Sequence, residues 1–131
     1  MATLGTTLGK WQPQVLAVLR IITALLFLAH GTGKLIGFPD LGFAPPFMSL
    51  PWIAGAIEIV GGILLVLGLY TRLVAFILCG QMAVAYFMAH APQGFYPIQN
   101  GGELAVLYCF IFLYLIFSGP GAWSLDRRGR V

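Results

Sequence analysis

The sequence predicts an all-α fold, an integral membrane four-helix bundle, and three observations carry that prediction. Hydrophobic residues make up 60% of the 131 residues and charged residues only 8%, against about 25% charged in a soluble domain. A soluble chain this short could not hide so much apolar surface from water, so lipid is the expected solvent for most of it. The apolar residues also gather into four runs, each close to the ~20 residues that cross a bilayer. Strand-like alternation is absent, and a lone span must satisfy its own backbone groups, so the runs are read as helices.

The four runs are residues 15–36, 51–69, 72–91 and 100–118, taken together as one domain over 1–131. The first starts late for a secretory leader and is followed by no A-x-A-like site, so it is expected to be a retained span. "GFPDLGFAPPFMSL" separates runs one and two. "LYTR" separates two and three and is short enough to force antiparallel neighbours. "PQGFYPIQ" separates three and four, and "GPG" stops the last helix.

Four crossings put both termini on one side. Lys10, Arg20, Arg72, Arg127, Arg128 and Arg130 collect there, with Lys34 alone on the other. The positive-inside rule then places both termini in the cytoplasm of a cell (plasma or inner) membrane. Phe38, Phe43, Phe47, Trp52, Phe95 and Tyr96 fall in or beside the outer connectors, where an aromatic belt is expected. The net charge of +3 is too small and too scattered for a nucleic-acid surface. The expected surroundings are membrane lipid and a soluble or membrane redox partner, with self-association into a homo-oligomer left open.

The polar residues inside the runs are the candidates for function. Arg20, Thr23, Phe27, His30 and Lys34 follow one another at spacings of 3 and 4, which puts them on one helix face. Arg20 and Lys34 lie ~21 Å apart along the axis, near opposite membrane surfaces, and both can snorkel. Glu58 lies ~10 Å in from Pro51, with Gly55 and Gly62 on its face to admit a close neighbour. On the third run Cys79, Tyr86 and His90 share a face, with Gln81 roughly opposite. "NGGE" reads as a capping box, Asn100 at the N-cap and Glu103 at N3. "FLAH" at 27–30 recurs as "FMAH" at 87–90, each leading through an outer connector to a helix with one glutamate. His30, Lys34, Glu58, His90 and Glu103 therefore form an expected polar cluster in the outer half, supported by Arg20, Asn100 and Tyr86.

The chemistry open to such a cluster is limited. It lacks the E-x-x-H signature of di-iron bundles, and no metal is assigned to it. Paired imidazole and carboxylate can hydrogen-bond and protonate a quinone carbonyl, or relay protons. A Lys34–Glu58 or His30–Glu58 pair can equally do no more than lock the bundle. Cys79 and Cys109 show no metal-type spacing and read as small apolar helix residues. Helical rise puts them ~6 Å apart in depth, which argues against a disulfide.

These motifs resemble the DoxX family of small bacterial and archaeal membrane proteins. The resemblance runs from about Arg20 to Asp126. It rests on "R…FLAHGTGKL", "IEIVGGILLVLGLYTRLVA", "NGGELAVLY" and "GPGAWSLD" in that order, with Ala24 standing where the family often has glycine. It implies a four-helix membrane bundle and an association with redox chemistry: a subunit linked to thiosulfate:quinone oxidation, or a membrane part of oxidant-defence assemblies. The family's recurring polar positions match Arg20, His30, Lys34, Glu58, Arg72, Asn100 and Glu103. No cofactor is identified beyond a quinone as the candidate ligand. The leading expectation is a membrane subunit of a quinone-linked redox complex, with His30 and Glu58 facing the quinone. Its rivals are a non-catalytic scaffold or assembly factor, and a small-molecule or proton pathway.

Overall fold

The computed structural model describes residues 3–126; the basic tail of Arg127, Arg128 and Arg130 lies outside them. The described chain is all helical. α1 (Leu4–Gly9) is a short exposed helix closed by a Thr3–Thr6 capping box. α2 (Gln12–Leu35), α3 (Leu50–Leu67) and α4 (Thr71–Ala85) follow. α4 continues through a π-helical turn at Tyr86–His90 and a 3-10 turn at Ala91–Gln93. The one-turn α5 (Pro97–Asn100) precedes α6 (Glu103–Ser118).

Three helical stretches, Gln12–Leu35, Leu50–Leu67 and Thr71–Gln93, are long and apolar enough to cross a membrane. α6 has 16 residues, about 24 Å, yet it runs the length of α4. Arg72 at the start of α4 donates to Ile116 O and Phe117 O near the end of α6, while Tyr86 at the far end of α4 accepts from Asn100 just ahead of α6. The bundle is two antiparallel pairs, α2 with α3 and α4 with α6.

Each boundary has a local cause. Ser49 caps α3, its hydroxyl accepting from Trp52 N, and Pro51 sits where no N–H is needed. Gly68, at φ 67°, ends α3 in the left-handed conformation that a Schellman-type stop requires. Asp126 folds back to the start of α4 and accepts from Tyr70 N at 2.6 Å and Thr71 N at 3.0 Å. This remote carboxylate replaces a local N-cap. Arg20, 0% exposed, anchors the same end: it donates to Leu65 O, Trp123 O, Ala122 O and Pro120 O. One guanidinium thereby ties α2 to the end of α3 and to residues 120–123. A fixed fork of donors suits this task better than an ammonium.

The core follows from side-chain phase. Phe27 meets Tyr108 and Phe112 edge-on at 5.2 and 5.1 Å between ring centres, with Leu65, Leu78 and Leu115 buried around them. On the opposite face of α2, Val15, Leu19, Ile22 and Leu26 are exposed. Large apolar side chains cover the outside of the other three long helices too. In water such a surface would be a liability; in lipid it is the solvated face of a membrane protein.

The capping box expected from "NGGE" is not formed. Asn100 is buried and ends α5, its Oδ1 accepting from Gly102 N at 2.8 Å, and α6 starts at Glu103 from Gly102 without a side-chain cap. Gly101 takes φ 77°, which kinks the chain between α5 and α6 and removes Asn100 from the helix it was expected to start. The cysteine depths also need correction. Cys79 Sγ and Cys109 Sγ lie 3.7 Å apart as free thiols. With Arg72 level with Phe117, seven residues along each antiparallel helix bring 79 and 110 to one depth.

Candidate functional site

Glu58 stands in the middle of α3, 2% exposed, and side chains from two other helices converge on it. Lys34 Nζ lies 3.0 Å from Glu58 Oε2. Gln81 Nε2 donates to the same oxygen at 3.1 Å and to Ala54 O at 3.3 Å. Glycines make the approach possible. A Cβ on Gly31 would stand 2.8 Å from Gly55 O and 2.9 Å from Ile59 N, and one on Gly55 would press on the Lys34 stem at 3.0 Å. With hydrogen in both places the α2 and α3 backbones close up, and the lysine lies along α3 to reach the carboxylate.

The arrangement leaves part of the cluster open. Glu58 Oε1 and Gln81 Oε1 are both buried, and among the described residues neither has a donor. His30, one turn before Lys34, is held by an edge-on contact with Tyr108, ring centres 5.9 Å apart. No hydrogen bond joins it to Glu58.

Above these groups is a cavity of about 740 Å³, within the ordinary range for small-molecule sites. Phe27, His30, Lys34, Glu58, Gln81 and Tyr108 form its inner wall. Ile53, Ile57, Ile77 and Val84 line it at the α3–α4 seam, and each is partly exposed on the apolar outer surface. Phe43, Leu50, Met88 and Leu104, nearer the connectors, also line it and are exposed. A second hollow of about 350 Å³ continues along the same seam towards the α3–α4 turn. It shares Ile57 and Ile77 with the first and is lined entirely by apolar residues, Ala56, Val60 and Gly61 among them.

His90 lines the cavity from the connector end, and its Nδ1 lies 3.2 Å from Asn100 O. Asn100 Nδ2 donates to Tyr86 Oη at 3.1 Å and to Gly94 O at 2.9 Å. These three side chains close the top of the α4–α6 pair and do not touch Glu58. Arg20 belongs to the opposite end. Glu103 does not join the cluster: it is exposed in the first turn of α6, beside the positive end of that helix, and away from the cavity wall.

Gln81 is the residue that sequence reasoning misplaced. The sequence places it roughly opposite the His90 face, and in the structure it sits against Glu58. The π-helical turn at 86–90 accounts for the error, because its wider winding shifts the phase between 81 and 90 by roughly one residue's rotation, about 100°. An uncharged amide on an apolar helix gave no other signal. Among the described residues no group of three or more His, Cys, Asp or Glu could hold a metal.

The DoxX family model matches residues 15–91, which contain Arg20, His30, Lys34, Glu58, Gln81 and His90. An uncharacterized Haemophilus influenzae protein is 52% identical over 92% of this chain and 95% of its own length. Inner membrane protein YphA of Escherichia coli is 32% identical over 92% of this chain and 94% of its own. A Bacillus subtilis protein provisionally named oxidoreductase CatD is 30% identical over 83% of this chain and 82% of its own. No solved structure matches.

Proposed function

The chain belongs to the DoxX family, and we propose that it is a quinone-linked membrane subunit of a redox complex in the inner membrane. The observation that carries the reading is the cavity: a largely apolar chamber bordered by the exposed apolar seam of α3 and α4, with an ion pair, an amide and an imidazole on its inner wall. A hydrophobic carrier partitions into the bilayer and needs such an apolar border. Its ring oxygens need a few placed polar groups. His30 and Lys34 supply donors, Glu58 supplies a carboxylate that takes or returns a proton, and Gln81 fixes Glu58. The provisional name of the Bacillus subtilis relative points the same way.

The test is extraction. The protein is purified from its own membranes in mild detergent, and bound quinone is measured by chromatography and mass spectrometry. Co-purified quinone in the wild type, reduced severalfold in Glu58→Gln and His30→Ala with fold retained, is expected. Absence of quinone from well-folded wild type, with no response of membrane electron transfer to Glu58→Gln, overturns the reading.

A non-catalytic scaffold is the second reading, favoured by Trp123 and Leu125, which stay exposed on the segment that Arg20 and Asp126 pin down. Here the basic tail would hold a partner. Asp126 caps α4, so the informative deletion is residues 127–131 and leaves 126 in place. Loss of partner recovery in that deletion, with Glu58→Gln harmless, selects the scaffold. A proton pathway is not favoured: Phe27, Leu65, Leu78 and Phe112 are packed between the cluster and Arg20.

A further inference from the structure

We propose that Cys79 and Cys109 form a reversible dithiol–disulfide site inside the membrane, open to lipid-soluble oxidants and closed to charged ones, and that its closure is felt at the cavity wall. The inference does not rest on the quinone-linked reading.

These are the chain's only two cysteines. They stand on different helices, 30 residues apart, and their sulfurs lie 3.7 Å from each other with both thiols free. The Cys109 thiol also donates to Cys79 O at 3.6 Å, so its side chain reaches across to the α4 backbone. Sulfurs this close need about 1.7 Å of approach to reach bonding distance, and α4 and α6 are already antiparallel partners.

The setting decides which reagents arrive. Cys79 lies about 12 Å along α4 from Thr71, within an apolar span of 23 residues, so water-borne oxidants stop short of it. Both thiols pack on the core with one side and keep part of their surface outside. By helical spacing Phe76 on α4 and Leu113 on α6 share that outer face, and both are exposed apolar side chains. An oxidant must therefore be soluble in the bilayer, and a neutral organic disulfide meets that requirement.

The exchange balances without a cofactor. One thiol loses its proton and its sulfur attacks the organic disulfide, forming a mixed disulfide and releasing one small thiol, which takes that proton. The second cysteine displaces the other small thiol in the same way. The protein dithiol is oxidised by two electrons and the organic disulfide is reduced to two thiols. Closure reaches the cavity through two chain neighbours. Gln81, which holds Glu58 Oε2, lies two residues beyond Cys79, and Tyr108, against which His30 rests edge-on, is next to Cys109. Drawing the chains together at 79 and 109 displaces both wall residues.

The experiment treats the full chain in lipid nanodiscs with two aromatic disulfides, neutral dipyridyl disulfide and charged dithiobis(nitrobenzoate). Thr6→Cys, exposed, in a chain with both native thiols replaced by alanine, sets the intrinsic reactivity of each reagent. After that normalisation dipyridyl disulfide should close the wild type about tenfold faster or more. The closed product shows a mass loss of about two hydrogens, whereas Cys109→Ala keeps one pyridylthio adduct. A lipid-soluble phosphine should reopen the bond. In histidine-labelled protein the His30 ring signal, assigned with His30→Gln, should move by more than its linewidth on closure. No reaction, or adducts on both cysteines without closure, overturns the site. Equal normalised rates overturn the restriction to lipid-soluble oxidants. A bond that the phosphine cannot reopen overturns reversibility, and closure with an unmoved His30 signal overturns the link to the cavity. None of these outcomes touches the quinone-linked reading.

Discussion

At the scale of single residues, the Lys34–Glu58 pair is asymmetric, and the asymmetry is measurable. The lysine side chain keeps 18% of its surface exposed and the glutamate only 3%. Lys34→Met strands a carboxylate in the middle of α3, whereas Glu58→Gln leaves a lysine that can straighten towards the connector end of the bundle. Removing one partner of a fully buried pair costs ~3–5 kcal/mol; with Lys34 partly exposed, about half of that is the expectation for Lys34→Met. Glu58→Gln should cost less, and the double variant should recover most of the loss. Thermal unfolding in detergent, assembled into a double-mutant cycle, checks this, with a coupling above ~1 kcal/mol expected. Strict additivity would show that the two charges do not sense each other. The participants in this pair were legible as soon as His30, Lys34 and Glu58 were placed on helix faces. Their arrangement was not, because periodicity assigns a face and leaves the choice between Lys34 and His30 as the partner to side-chain reach. Gln81 was lost for a related reason, since a phase count carried back from His90 crosses the π-helical turn.

At the scale of elements, the spans were visible because apolar runs of membrane length follow from the solvent. The registers between them were not, because side-chain packing sets them. Cys79 and Cys109 illustrate the difference: depth counted from the sequence ends of the runs separated them, and the observed register of α4 against α6 brings their sulfurs to 3.7 Å. Mild oxidation should therefore cross-link α4 to α6, read as a mass loss of about two hydrogens and blocked by Cys79→Ala. Failure to couple under conditions that modify both thiols separately would contradict the register. The glycines test the other pair. Gly31→Val must push α2 away from backbone atoms of α3 under 3 Å distant, and overpacking of this kind costs ~1–3 kcal/mol. Gly80 is the control: it lies on α4, and a Cβ there meets nothing within 4 Å. Gly80→Ala should be neutral or stabilising by up to ~1 kcal/mol. Equal losses in the two variants would mean that backbone closeness between α2 and α3 is not what the glycines provide.

At the scale of the whole molecule, the question is which way the bundle faces, since that decides which compartment lies behind His90 and which behind Arg20. Neither long connector contains a lysine or arginine, and Lys34 is engaged by Glu58. The other end carries Lys10, Arg20 and Arg72, and the three tail arginines follow Asp126 in the sequence. Charge bias of this kind orients spans during insertion, with the basic end retained in the cytoplasm. The aromatic side chains give the two levels: Phe38, Phe47, Phe95 and Tyr96 are exposed at the connector end, and Trp11, Tyr70 and Trp123 at the other. With both native thiols replaced by alanine, single cysteines at Gln99 and Thr6, both on exposed positions, report the outcome. A membrane-impermeant maleimide applied to intact cells should label Gln99→Cys and spare Thr6→Cys until the membrane is opened. The reverse pattern would put the connectors in the cytoplasm. His90 and the connector-end rim of the cavity would then face that compartment. The exposed apolar seam of α3 and α4 along the cavity would be unchanged, because it does not depend on the direction of insertion.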